Sequence, residues 1–342
     1  MAATIKDVAR LAGVSVATVS RVLGNERYVK DEVRQAVQAA MAQLKYHPSR
    51  TARSLRVQQS RIIGLLISDI QNPFFIALVR AVEDVAYQHS YAVFLCNTDE
   101  DSEKERFYLE LLKAEQVAGV IVSPSLERND PCLDLISSHI PCVIIDRCIA
   151  DAVADTVVVD NVKGSYELVH HLLEDGHRRI GAVLGTPVAT TGRERFEGYA
   201  RALQEYGVAV NMDYVKAGSP REQDGYRFTE ELLDLAEPPT ALFTGSNLLT
   251  VGTMRALHQR GLRIPDDMGL VAFDEIDWMT LVRPGLTVLA QPTYELGQVA
   301  TELLLKRIEN PTGPPEQVVL NGVLRVRESC AHHSAVGEGV LA

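Results

Sequence analysis

The sequence predicts a two-part molecule, a small all-α helix-turn-helix head followed by an α/β body of two doubly wound subdomains. Three observations carry this. The first 46 residues hold three helix-period patterns, and only Gly13-Val14-Ser15 separates the first two. From residue 61 onward, apolar runs of strand length alternate with helical patterns, which signals a parallel sheet. Those runs recur: SRIIGLLISD at 60–69 parallels HRRIGAVLGT at 177–186, VAGVIVSPS at 117–125 parallels PTALFTGSN at 239–247, and IPCVIIDR at 140–147 parallels IPDDMGLVAFDE at 264–275.

Composition sets the limits. The chain has 342 residues, 46% hydrophobic and 23% charged, enough for two or three domains with a sizeable core. Its apolar runs are too short to span a bilayer and no export signal opens it, so a cytoplasmic protein is expected, nucleoid-associated when bound to DNA. Five cysteines without CxxC spacing suggest neither a disulfide framework nor a zinc site. The net charge of −11 argues against nucleic acid only as an average. Residues 1–60 carry 10 Lys and Arg against 4 Asp and Glu, whereas the remainder carries 24 against 41. A basic head precedes an acidic body.

In the head, Thr4 can cap a first helix, with Asp7 three positions on and Ile5, Val8, Ala9 and Ala12 as its apolar set. Ser15 can cap a second helix held by Val19, Val22 and Leu23. A third carries Val33, Val37, Ala40, Met41 and Leu44. Two short helices around a glycine turn, followed by a third, make the helix-turn-helix plan. The second helix keeps Ala17, Thr18, Ser20 and Arg21 off its apolar stripe. Small side chains there let the backbone approach a major groove, hydroxyls can bond phosphates, and Arg21 can offer its fork to a guanine edge. Val16 and Ala17 could touch thymine methyls.

These residues, TIKDVARLAGVSVATVSRVL at 4–23 and LKYHPSRTARSLR at 44–56, closely resemble the LacI/GalR family of bacterial transcription regulators. The resemblance implies DNA contacts from Thr4, Ser15, Val16, Ala17, Thr18, Ser20, Arg21 and Asn25. From the hinge segment it implies contacts from Ser49, Arg50, Ala52, Arg53 and Leu55. It has departures: Gly24 stands where relatives often have Asn, Lys30 where they have Ser, and Ser49 where many carry Asn. Residues 49–56 make roughly two turns, below the ~12–15 residues of a marginal isolated helix, so this helix should form only with a partner. Leu55 among Arg50, Arg53 and Arg56 suits a minor-groove wedge, although packing on the body is the alternative.

In the body, ligands of such sheets bind beyond the carboxyl ends of the strands, here Ser68, Asp69, Ser123, Asp146, Thr186, Ser246 and Asp274. Facing the two halves together lines one cleft with these groups. Paired carboxylates at Asp146 and Asp274, with Arg195 between them in sequence, suit a polyhydroxylated ligand. Phe74 and Phe75 could face a ring, and Trp278 either lines the cleft or fills core. NPFF, IIDR, RERFEGY, the GSN segment and VAFDE extend the resemblance over about 60–328, and the resemblance implies a periplasmic-binding-protein-like pair of subdomains. It implies effector contacts at Ser68, Asn72, Phe74, Phe75, Asp146, Arg195, Ser246, Asp274 and Gln291. Many relatives place Asn-Asp where Ser246-Asn247 stands here.

The expected division is a head at 1–47, a hinge at 48–59, a body at 60–330 and a frayed tail at 331–342. Within the body, subdomain one takes about 60–161 and 291–318, and subdomain two about 162–290 and 319–330. His170, Glu174 and His177 look metallic, but the helix-then-strand pattern explains them, and neither metal nor cofactor is expected. HExxH, GxSxG and P-loop motifs are absent from the sequence, so catalysis is not expected. The reading is a homodimeric repressor that binds pseudo-palindromic operator DNA under control of a sugar-like effector. The alternative is a solute-binding protein of sugar uptake, against which the head argues.

Overall fold

A computed structural model describes residues 3–23, 28–46, 60–150 and 152–330. The chain divides into two compact units, one ending at Ser60 and the other beginning at Arg61.

The first unit holds α1 (Ile5–Leu11), α2 (Val16–Leu23) and α3 (Asp31–Gln43). The start of α1 is fixed by Asp7, whose carboxylate accepts from the Thr4 backbone N–H at 3.0 Å and from its hydroxyl at 2.7 Å. Gly13 then turns the chain at φ 64°, a left-handed conformation that glycine adopts without a Cβ clash. Ser15 Oγ accepts from the Thr18 N–H at 3.1 Å and so caps α2. Val8, Ala9, Val19, Val22, Val37 and Ala40 form the buried centre, with Leu23, Val33, Met41 and Leu44 packed around it. No side-chain cap is made by Lys30 at the start of α3. The expected contributions of Gly24, Asn25, Ser49, Arg50, Ala52, Arg53 and Leu55, and of the tail, fall outside the described residues.

The second unit contains two six-stranded sheets. The strands of the first are β1 (Ile62–Ile67), β2 (Ala92–Asn97), β3 (Gly119–Val122), β4 (Cys142–Ile145), β5 (Asp155–Val159) and β11 (Gln317–Leu320). Those of the second are β6 (Ile180–Gly185), β7 (Val215–Gly218), β8 (Ala241–Thr244), β9 (Gly269–Phe273), β10 (Thr287–Ala290) and β12 (Val323–Arg325). Their spatial orders, β11-β5-β4-β3-β1-β2 and β12-β10-β9-β8-β6-β7, follow one plan. All pairings are parallel except β10 with β12. The sequence repeats match: β1 with β6, β3 with β8, and β4 with β9.

Helices α4 (Pro73–Gln88), α5 (Ser102–Ala114), α6 (Cys132–Ser137) and α11 (Thr293–Glu309) belong with the first sheet. Those packing with the second are α7 (Asn161–Glu174), α8 (Thr190–Glu205), α9 (Glu222–Leu233) and α10 (Asn247–Gln259). The sheets' central strands are apolar on both faces because helices cover both, as in β1, where five successive residues are buried. The chain passes between subdomains three times, after Val159, after Ala290 and after Leu320. β11 ends at Leu320 and α7 begins at Asn161.

Candidate functional site

The head presents α2 with a buried side and an open one. Val19 and Val22 are buried, whereas Val16, Ala17 and Arg21 are exposed and Thr18 and Ser20 are half-buried. The Ser15 and Thr18 hydroxyls lie 2.9 Å apart at the N-terminal turn. The open side is thus made of small side chains, hydroxyls and one guanidinium, which is the set that groove entry needs. Thr4 stands exposed at the start of α1.

In the body, the strand ends of both subdomains converge on one cleft. It is lined by Asn72, Phe74, Phe75, Asp146, Arg195, Ser246, Asp274 and Gln291 from the expected set, together with Thr186. Asp146 follows β4 and Asp274 follows β9. Asn72 caps α4, its Oδ1 accepting from the Phe74 N–H at 2.9 Å, and Phe74 and Phe75 follow in the first turn with their rings edge to face at 5.0 Å. Ser246 caps α10, accepting from the Leu249 N–H at 3.4 Å.

Arg195 arrives from α8 and is buried. Its Nε donates to Asn161 Oδ1 at 3.0 Å, and its guanidinium sits 3.8 Å over the Phe273 ring. Burial lowers its pKa from the ordinary guanidinium value, opposed by Asp274 and Asp146. Burial also pushes Asp146 up to about 6, opposed by Arg147 and Arg195. Asp274 is held by its neighbours: its Oδ2 accepts from the Asn247 N–H at 3.0 Å and its Oδ1 from Gln291 Nε2.

Two of the expected residues lie outside the cleft lining. Ser68 is wholly buried beneath the cleft, 3.3 Å from the Ser123 hydroxyl, which in turn donates to Asp146 Oδ2 at 3.4 Å. It meets Asp146 through the Ser123 hydroxyl rather than lining the cleft. Trp278 packs against the apolar cluster around Met279 and Leu286, the core alternative.

The cleft also holds residues that sequence reasoning missed, Glu100 and Arg147 above all. Arg147 donates to both Glu100 carboxylate oxygens at 2.6 Å and to the Pro124 carbonyl at 3.0 Å. Burial acts against its charge, but Glu100 outweighs this and raises its pKa. The arginine stood in the IIDR segment, but no local spacing ties it to an acid 47 positions earlier.

Of the metallic-looking residues, His170 pairs with Glu174 at 3.5 Å and His177 Nδ1 meets the Thr240 hydroxyl at 2.9 Å, so they do not converge. Among the described residues, the potential ligand atoms that do converge belong to His171, Asp175 and Cys330, where His171 Nε2 lies 3.0 Å from Cys330 Sγ.

A groove-reading helix in one unit and a two-subdomain ligand cleft in the other define a ligand-responsive, DNA-binding regulator. Residues 4–49 match the model of bacterial regulatory proteins of the lacI family, and residues 169–330 match a periplasmic binding protein-like domain. The chain is 42% identical over 306 residues to the ribose operon repressor of Halalkalibacterium halodurans, covering 90% of each chain. It is 39% identical over 310 residues to the HTH-type transcriptional repressor PurR of Haemophilus influenzae, covering 90% of this chain and 91% of the relative. The structure of the lac repressor dimer bound to operator and the anti-inducer ONPF aligns with a TM-score of 0.84 and 25% identity, over 97% of this chain and 100% of that one. The chain belongs to the LacI family. It is a transcriptional regulator that binds DNA, not an enzyme. Among the described residues no helix is long and apolar enough to cross a membrane.

Proposed function

We propose that this protein is a homodimeric repressor of a carbohydrate operon, released from or recruited to a pseudo-palindromic operator by an uncharged sugar. The observation that carries the effector class is the pair Asp146 and Asp274, brought with Arg195 into one cleft from the two subdomains. Two carboxylates accept from hydroxyl pairs, and the guanidinium donates to a ring oxygen. Among the charged lining residues, Glu100, Asp146 and Asp274 outnumber Arg147 and Arg195. That excess of negative charge opposes a phosphate or carboxylate on the ligand. The kinship with a ribose operon repressor supports a pentose within this class.

A sugar touching both subdomains favours one degree of closure, and the three chain passages between them are the places that can flex. In the family's plan, closure decides whether the hinge segments at 48–59 can pair on DNA. The homodimer reading draws support from exposed apolar side chains on consecutive elements of subdomain one. These are Ile76 and Tyr87 on α4, Phe94 and Leu95 on the edge strand β2, and Phe107 on α5. A row of such groups beside an open sheet edge is what an interface covers. The expected setting is the cytoplasm, with the DNA-bound form on the nucleoid.

Calorimetric titration with D-ribose, other pentoses, hexoses and ribose 5-phosphate tests the effector class, followed by operator binding with and without each ligand. Binding of a neutral sugar that changes operator affinity is expected. Binding of the phosphate alone would overturn the uncharged-sugar reading.

A further inference from the structure

Asn247 is wholly buried at the start of α10, yet its amide reaches across the cleft. Its Nδ2 donates to Asn72 Oδ1 of the opposite subdomain at 2.8 Å and to Asp274 Oδ2 of its own at 3.2 Å. Its backbone N–H donates to the same Asp274 oxygen at 3.0 Å. Both partners of Nδ2 are acceptors only, so the amide is pinned: turning it over would set oxygen against two oxygens. The pinned orientation leaves Asn247 Oδ1 buried with no hydrogen-bond partner, which disfavours the arrangement unless the bridge is kept. Asn72 Oδ1 meanwhile also accepts from the Phe74 N–H, so the bridge ends on the first turn of the helix that carries both cleft phenylalanines.

We propose that Asn247 is a positioning residue that couples the occupancy of Asp274 to the opposite subdomain, and that an uncharged amide is required at this position. An effector hydroxyl that draws on Asp274 alters the acceptor that shares Nδ2 with Asn72. The state of the carboxylate is thereby passed to the first turn of α4. The coupling to a sugar rests on the effector reading above; the bridge itself does not.

The identical substitution at the two ends of the bridge gives the test. In Asn247→Asp a carboxylate faces Asp274 and Asn72 with no proton to share, and the bridge breaks. In Asn72→Asp both acceptor bonds survive, to the Phe74 N–H and to Asn247 Nδ2. A merely structural role predicts the opposite for Asn247→Asp, because an acid is favourable in the first turn of a helix as well as at its cap. Hydrogen exchange of residues 74–76, followed by mass spectrometry on the full chain, is expected to quicken at least tenfold in Asn247→Asp and to stay within about twofold of the parent in Asn72→Asp. D-ribose binding is expected to weaken at least tenfold in Asn247→Asp. Should Asn247→Asp fail to fold, Asn247→Ser, too short for the bridge, is expected to quicken the same exchange. Unchanged exchange in Asn247→Asp or in Asn247→Ser, or equal effects of both aspartates, would overturn the proposal. If the exchange splits as expected while the parent binds no D-ribose, the bridge stands and the pentose reading fails.

Discussion

Asp146 and Asp274 occupy equivalent strand ends and share one uncommon backbone conformation, with φ of 70° and 75°. Each backbone N–H is tied to the neighbouring strand, Asp146 to the Val157 carbonyl in β5 at 2.9 Å and Asp274 to the Leu289 carbonyl in β10 at 3.1 Å. Left-handed backbone at a non-glycine residue costs on the order of 1–3 kcal/mol and persists where the surroundings over-determine it. Here it turns both carboxylates off their strands into the same cleft. The fold repeats not only the strands of its two halves but also the strained corner that carries each acid.

That strain separates two substitutions at one site. Both Asp146→Gly and Asp146→Ala remove the carboxylate and should abolish sugar binding. Glycine accepts the left-handed corner and alanine does not, so urea unfolding should find the glycine variant more stable by about 1 kcal/mol. Equal stabilities would show that the corner relaxes when the carboxylate leaves.

Asp146 also sets a pH dependence. Its pKa is raised in the fold from 3.8 to about 6, so folding disfavours the ionised form. Below about pH 4 the group is protonated in both folded and unfolded chains and nothing is lost. The penalty grows between about pH 4 and 6 and is complete above, on the order of 3 kcal/mol at most. Asp146→Asn should therefore match the parent near pH 4 and exceed it in stability at pH 7. Sugar affinity of the parent should fall as the solution is acidified below about pH 6, since a protonated Asp146 loses acceptor capacity. A stability difference independent of pH would contradict the buried, raised carboxyl.

Glu100 and Arg147 form a buried ion pair in the cleft, with side chains 16% and 7% exposed. Removing Glu100 leaves Arg147 with Asp146, 3.5 Å away, as its neighbouring acid, so Glu100→Ala should destabilise the fold in denaturant unfolding by less than the about 3–5 kcal/mol of a fully stranded charge. Glu100→Gln keeps an acceptor and should cost less. A loss under about 1 kcal/mol for the alanine variant would mean water reaches Arg147.

Arg21 carries the expected base contact. Arg21→Ala should weaken binding to an operator selected from random DNA by about 1–3 kcal/mol and relax specificity at one base pair. Competition binding against scrambled DNA checks this. Equal losses on both DNAs would make Arg21 a phosphate contact.

Much of the molecule was legible in the chain because its signals are periodic or local. Thr4 with Asp7, Gly13 and Ser15 mark helix ends through neighbours three positions away. The apolar runs that became β1, β3, β4 and their counterparts declare themselves by length and repetition. Asp146 and Asp274 are visible as acids ending matched strands, with Arg195 between them in sequence, and Asn72 and Gln291 follow from resemblance. Ser68 also ended a strand, but a strand end can point beneath a cleft as well as into it. Trp278 was ambiguous for the same reason, since side-chain direction is not written in spacing.

The sequence by itself determined the two-part plan, the three helices of the head, the six repeated strands of the body and which of their ends carry polar groups, because these follow from patterns a few residues long. Tertiary structure alone decided which of those groups meet. The Glu100–Arg147 pair, the Asn72–Asn247 bridge and the perch of Arg195 over Phe273 join residues 47 to 175 positions apart. Their strength comes from burial that neither partner has alone: removed from water, each group must find its complement across the fold, and only the folded chain says where that complement stands.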